Sequence, residues 1–200
     1  MPDLTKFEAV LMRHGQTEWS VRGKHTGKTD LPLTPEGEAE ALAMAPHIGG
    51  HNYQLVLSSP LERAHNTCKL VGLGEHAKLR DDLREWDYGD YEGLTSIDIR
   101  DRNPNWLLWR DGCPSGESPA QIVERCDRVV AELVDFAERD AGDAIVFAHG
   151  HILRALAARW CELPLITGQH LMLATAAASS LGYEHSTRAI KFWNRTSQDR

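Results

Sequence analysis

The sequence has no apolar run approaching the ~20 residues that a membrane-crossing helix needs. Its first residues, Met1-Pro2-Asp3-Leu4-Thr5-Lys6, lack the apolar core of a secretory leader. Basic residues are not in excess: the formal charge is −7, which argues against the basic face of a nucleic-acid binder. That balance does not forbid a small phosphate ligand, because a few arginines can dominate one cleft. Cysteines are few and scattered (Cys68, Cys113, Cys126 and Cys161), with no Cys-x-x-Cys pair and no activating motif around any of them. They read as free thiols in a reducing compartment. Repeats, low-complexity tracts and linkers are absent as well. Residues 1–200 therefore read as one domain, cytoplasmic, with neither a membrane nor a nucleic-acid partner. A hydrophobic content of 42% suits a chain of this length with a full core.

What is present is an alternation of strand and helix signals. Phe7 to Met12 reads as the first strand, ending abruptly in Arg13-His14-Gly15. Thr34-Pro35-Glu36 opens a helix expected to run to about Ile48, before Gly49-Gly50. Gln54 to Leu57 is a second strand, and Ser59-Pro60-Leu61-Glu62 reads as a capping box opening the next helix. Lys78 to Asp82 reads as a short strand and Thr95 to Arg102 as a short helix. Ser118-Pro119-Ala120-Gln121 is another capping box, opening a helix to about Arg139 with Val123, Val130, Leu133, Val134 and Ala137 on its buried face. Asp143 to Ala148 is continuously apolar after its first residue, as in a parallel strand buried on both faces. It ends in His149-Gly150-His151 before a helix over 152–160, and two strands close the chain. The pattern is α/β with a mostly parallel sheet.

Chemistry gathers where strands end, which is where open α/β folds bind ligands. Arg13 and His14 place a cation beside an imidazole there. Arg63 falls in the first turn of a helix, where exposed amides favour an anion; its alternative reading is a surface arginine. The stretch 83–94 carries four carboxylates among aromatics. Crowding and burial there would favour a general acid, and the alternative is a solvated acidic loop. Trp106 and Trp109, at i,i+3 spacing, read as core or pocket wall.

In order and placement, Arg13-His14-Gly15, Thr26-Gly27, Leu57-Ser58-Ser59-Pro60 with Arg63, Glu85 before Tyr88-Gly89, and His149-Gly150-His151 resemble the histidine phosphatase superfamily, also called phosphoglycerate mutase-like. The resemblance runs from about residue 7 to about residue 190. Arg13 to Trp19, Leu31-Pro32-Leu33-Thr34, Glu85 to Gly89 and Trp109 to Cys113 are similar to sedoheptulose-bisphosphatase-type and acid-phosphatase members. The resemblance implies a three-layer α/β/α sandwich and a phosphatase of sugar phosphates or of phosphomonoesters more broadly, with no metal and no cofactor. It implies that His14 is the nucleophile, its other ring nitrogen donating to a backbone carbonyl. Arg13, Arg63 and His149 would surround the phosphoryl oxygens, and Glu85 would protonate the leaving oxygen and then activate water. The substrate contacts would come from Gln16, Ser20, Thr26, Gly27, Tyr88, Gly150 and Arg154. Arg154 matches a position where relatives bind a second anionic group, and otherwise reads as a surface arginine. Relatives commonly dimerise through a sheet edge.

Three rival readings remain. A phosphoglycerate mutase would use the same nucleophile, but that pattern has asparagine where Ser20 stands and a tandem arginine pair after the acid. Residues 86–148 hold no adjacent basic pair. A metallohydrolase is suggested by ten histidines and by His149-x-His151, if both lie on one strand face. A non-catalytic phospholigand-binding protein would have lost His14 or Glu85, and both are present.

Overall fold

In a computed structural model describing residues 3–48 and 51–199, six strands form one sheet. They are β1 (Glu8–Arg13), β2 (Tyr53–Ser58), β3 (Ala77–Leu79), β4 (Asp143–Ala148), β5 (Ala178–Glu184) and β6 (Thr187–Arg195). The helices are α1 (Glu18–Val21), α2 (Pro35–Ile48), α3 (Glu62–Leu70), α4 (Ser96–Arg102), α5 (Leu108–Asp111), α6 (Pro119–Glu138) and α7 (Gly150–Trp160). The strand order is β3-β2-β4-β1-β5-β6. The β3–β2, β2–β4 and β4–β1 pairs are parallel, and β1–β5 and β5–β6 are antiparallel.

Alternation along the central strands explains the layers. Leu11, Leu57, Val146 and Ala148 face one core, which α6 and α7 close with Ile122, Val129, Leu133, Leu153 and Leu156. Val10, Met12, Val56, Ile145 and Phe147 face the other, which α2 and α3 close with Met44, Ile48 and Cys68. Both faces are covered, so β1 and β4 are apolar at nearly every residue rather than at every second one. The result is the expected three-layer α/β/α arrangement.

Local signals hold where the partners are local. Thr34 Oγ1 accepts the Gly37 N–H at 3.0 Å at the start of α2. Ser118 and Gln121 cap each other's backbone at the start of α6. On α6 the buried face is Ile122, Arg125, Cys126, Val129, Val130, Leu133 and Ala137, with Val123 and Val134 only partly covered at its margins. Gly49-Gly50 lies outside the described residues.

Two readings need correction. β3 spans only Ala77–Leu79, and Asp81–Leu83 turns as a 3-10 helix, since the β2–β3 pairing ends where β2 ends at Ser58. Ser59 does not cap α3, which begins at Glu62 with Leu61 before it and no side-chain cap from that residue. The cap comes from 32 residues upstream: Asp30 takes the Glu62 N–H on its carboxylate at 2.9 and 3.1 Å. Ser59 Oγ stops one residue short of the helix, accepting the Leu61 N–H at 3.3 Å, and lies 2.8 Å from His149 Nε2.

Candidate active site

The loop after β1 is fixed at almost every backbone group. The His14 N–H reaches the Ala148 carbonyl at 3.0 Å, and the His14 carbonyl takes the Ala176 N–H at 3.0 Å. Thr67 Oγ1 accepts the Gly15 N–H at 3.1 Å, and Glu40 Oε2 accepts that of Gln16 at 2.9 Å. Close packing with the start of α2 requires two glycines. A Cβ on Gly15 would lie 2.1 Å from the Gly37 carbonyl oxygen, and one on Gly37 2.1 Å from that of Gln16. On this support His14, 5% exposed, places Nδ1 2.7 Å from the Gly15 carbonyl oxygen. A carbonyl only accepts, so the ring proton sits on Nδ1 and the Nε2 lone pair is left open. Burial, then the Arg63 and Arg13 charges, hold this imidazole well below the usual histidine pKa.

Behind His14 lies a buried polar floor. His149 is fully buried, its ring centroid 5.1 Å from that of His14. Arg63 Nε donates to His149 Nδ1 at 3.0 Å, so His149 carries its proton on Nε2 and donates to Ser59 Oγ. The other Arg63 donors hold the carbonyls of Thr26, Gly27 and Thr29 at 3.0–3.1 Å. Arg63 is therefore neither a surface arginine nor part of the cavity lining. It orients His149 and ties down the 26–30 loop, and its charge sits beneath His14.

Glu85 does not belong to a crowd of acids, because each carboxylate of the loop has its own partner. Asp87 pairs with Lys28 at 2.6 Å, Asp90 accepts from Ser115, and Glu92 takes the N–H groups of Gly27 and Thr29. Glu85, 8% exposed, caps α7 from outside the helix. Its Oε1 accepts the N–H of Trp86 at 2.9 Å and of Ile152 at 3.0 Å, and Oε2 accepts that of His151 at 3.0 Å. Oε2 thus keeps the free position. The segment carrying Glu85 is gripped by Arg125, which lies 7% exposed on α6 and donates to the carbonyls of Asp82, Arg84 and Glu85.

A cavity of about 200 Å³ joins these groups. Among the expected residues, Arg13, His14, Ser20, Thr26, Glu85, Tyr88, Gly150 and Arg154 line it, whereas Gln16, Gly27, Arg63 and His149 stand behind the wall. Gln16 is held by Thr34, and Gly27 is a packing residue whose added Cβ would meet the Trp86 carbonyl oxygen at 2.5 Å. Arg154 is part-buried, donating to the Gly168 and Gln169 carbonyls with its guanidinium 5.0 Å over the Trp109 ring. Arg13 donates to the Leu173 carbonyl at 2.6 Å, while its buried Nε has no partner. An oxyanion is what such a donor lacks. Lys24, His25 and His151 also line the cavity. No sequence motif had singled out Lys24 or His25.

The structure removes the premise of the chelating histidine pair. His149 and His151 do not alternate on a strand: His149 precedes α7 and His151 lies within it, their rings bonded to different partners. Among the described residues no three His, Cys, Asp or Glu side chains are grouped to hold a metal. Cys68, Cys113 and Cys126 are buried, and burial pushes each thiol up to about 12. No cysteine lines the cavity. Among the described residues no helix is long and apolar enough to cross a membrane.

Known proteins resemble this chain over most of its length. The model of the histidine phosphatase superfamily (branch 1) matches residues 9–196. An acid phosphatase of Mycobacterium tuberculosis is 40% identical over 183 residues, 90% of this chain and 89% of its own. A sedoheptulose 1,7-bisphosphatase of Saccharomyces cerevisiae is 42% identical over 191 residues, 82% of this chain and 70% of its own. The solved structure of an open reading frame from Mycobacterium tuberculosis superposes with a TM-score of 0.91 at 38% identity, covering 96% of this chain and 99% of that one.

Proposed function

The chain belongs to the histidine phosphatase superfamily, and from that premise we propose that it is a phosphomonoesterase, needing no metal, that hydrolyses small phosphorylated metabolites through a phosphohistidine on His14. The observation that carries this reading is the pairing of an open His14 Nε2 with the free position of Glu85 Oε2 on one cavity that Arg13 also lines.

In the first step Nε2 attacks phosphorus, the bond from phosphorus to the ester oxygen breaks, and Glu85 gives its proton to the departing oxygen. In the second, Glu85 takes a proton from water, whose oxygen attacks phosphorus and breaks the P–N bond. Inorganic phosphate leaves, and His14 and Glu85 return to their starting protonation. Arg13, with Nε lacking a protein partner, stabilises charge on the phosphoryl oxygens. The buried floor of His149 and Arg63 adds positive charge behind the nucleophile. Ser20, Thr26, Tyr88 and Arg154 face the leaving group from the cavity wall.

The test is phosphate release in EDTA from sedoheptulose 1,7-bisphosphate, fructose 1,6-bisphosphate, 3-phosphoglycerate and nitrophenyl phosphate, with His14→Ala in parallel. Release that disappears in the variant is expected. Substantial release by His14→Ala overturns the mechanism, as does strict EDTA sensitivity. Isomerisation of phosphoglycerate without release would make the chain a mutase.

A further inference from the structure

The Tyr88 side chain lines the cavity of His14 and Glu85 although the residue is only 1% exposed. Its ring is held edge-on between two imidazoles, its centroid 4.7 Å from that of His25 and 5.9 Å from that of His151. The hydroxyl lies 2.6 Å from His151 Nδ1, its one hydrogen-bond partner among the described residues. Burial raises the phenol pKa well above the ordinary tyrosine value and lowers that of His151, so both groups are neutral. The phenol proton is satisfied by His151 Nδ1, which places the His151 ring proton on Nε2. Tyr88 Oη is left with lone pairs to offer the cavity.

A second acceptor stands close by. Glu85 Oε2, which holds the free position of that carboxylate, lies 3.9 Å from the same His151 Nδ1. Two oxygens that accept hydrogen bonds are thus gathered around one imidazole nitrogen in the cavity wall. Once the first step has left Glu85 ionised, both can accept from whatever attacks the phosphohistidine.

Water and an alcohol differ at this point. Water brings two protons. One passes to Glu85 as the O–P bond forms and the P–N bond breaks, leaving its electron pair on Nε2. The other stays on the new phosphate oxygen and needs an acceptor throughout the step. An alcohol brings one proton, which Glu85 takes, and has carbon where water has the second. An acceptor at Tyr88 therefore helps water alone. We propose that Tyr88, its own proton taken up by His151, orients the hydrolytic water together with Glu85, so that the phosphohistidine passes to water in preference to an alcohol. Tyr88 is then a catalytic residue of the second step, and His151, acting through it, a positioning residue. This rests on the phosphomonoesterase reading given above.

The experiment gives the protein nitrophenyl phosphate in water containing methanol and reads nitrophenol against inorganic phosphate at early times. Nitrophenol counts every phosphohistidine formed, and inorganic phosphate counts those that water resolves; the difference is methyl phosphate. This partition is independent of how fast His14 is phosphorylated and of what fraction of a variant is folded. The ratio of methyl to inorganic phosphate is expected to rise about fivefold in Tyr88→Phe, the size of one neutral hydrogen bond. His151→Leu, which frees the phenol proton to turn into the cavity, is expected to raise it similarly. His151→Asn, whose Oδ1 can accept that proton near the place of Nδ1, is expected to restore the unaltered value. A ratio that is unchanged or lower in Tyr88→Phe overturns the proposal, and the same result in His151→Leu does so if the first variant fails to fold. A rise in His151→Leu that His151→Asn does not reverse overturns the role given to His151. All these results leave the phosphatase reading standing. Absence of nitrophenol release by the unaltered protein overturns that reading itself, and the proposal with it.

Discussion

Arg125 and Glu117 meet as a two-pronged ion pair, Nε 2.7 Å from Oε1 and Nη2 2.8 Å from Oε2. The pair closes on the segment that carries Glu85 from both sides. Arg125 takes the carbonyls of Asp82, Arg84 and Glu85, while Glu117 Oε2 accepts the Asp87 N–H and the Glu117 carbonyl accepts from the Trp86 indole. Arg125→Met would strand one carboxylate and three carbonyls. The expected cost is about 3–5 kcal/mol, read by urea unfolding. Arg125→Lys should recover little of it, because an ammonium cannot reproduce the fork.

Glu85→Gln cannot supply a proton and turns one amide N–H₂ toward backbone donors. Its kcat on alkyl phosphates should fall roughly 10²–10⁴-fold. The loss on nitrophenyl phosphate, whose leaving group departs without a proton, should be far smaller. Comparable losses on both esters would remove Glu85 from the proton-donor role.

The pH dependence follows from three imidazoles whose pKa values are lowered, first of all by burial: His14, His149 and His151. With His14 as the proposed nucleophile and neutral below pH 6.5, kcat/KM should not fall on its account between pH 7.5 and 6. Stability should behave oppositely. Below the unfolded value near 6.5, the unfolded chain binds protons that the folded chain refuses, so stability declines as pH falls toward the folded values. The slope is about 1.4 kcal/mol per pH unit for each such histidine. Urea midpoints at pH 7.5, 6.5 and 5.5 check the sign, and His14→Asn should flatten the slope.

Gly37→Ala drives a methyl into the Gln16 carbonyl. Overpacking of this kind costs about 1–3 kcal/mol. Because the displaced atom belongs to the loop that carries His14, kcat should drop along with the melting temperature. A variant of unchanged melting temperature and activity would show that the loop can yield.

The sheet's central strands were readable because burial on both faces leaves an unbroken apolar run in β1 and β4. Caps within four residues of the helix start, at Thr34 and Ser118, were readable for the same local reason. The Ser59 reading failed because its oxygen is shared between the Leu61 N–H and His149, 90 residues later, and the Glu62 N–H is capped by Asp30. Strand-end position and motif order marked His14, Arg13 and Glu85. They could not show that Arg63 is spent on His149 and on loop carbonyls. Nor could they show His25 facing the cleft or Arg125 gripping the acid segment, since those partners meet only in the folded chain.

The strand that leads into His14 lies between β4 and β5, so its residues pair with residues 144–148 and 178–182. On a ribosome emitting roughly 5–20 residues per second, it waits many seconds for either neighbour. Until then Arg13 and His14 hang from an unpaired apolar strand, beside neither His149 nor the carbonyls of residues 173 and 177. The cavity beside His14 is thus among the last parts of the nascent protein to exist. A chain cut short before β5 is an aggregation hazard rather than a slow enzyme.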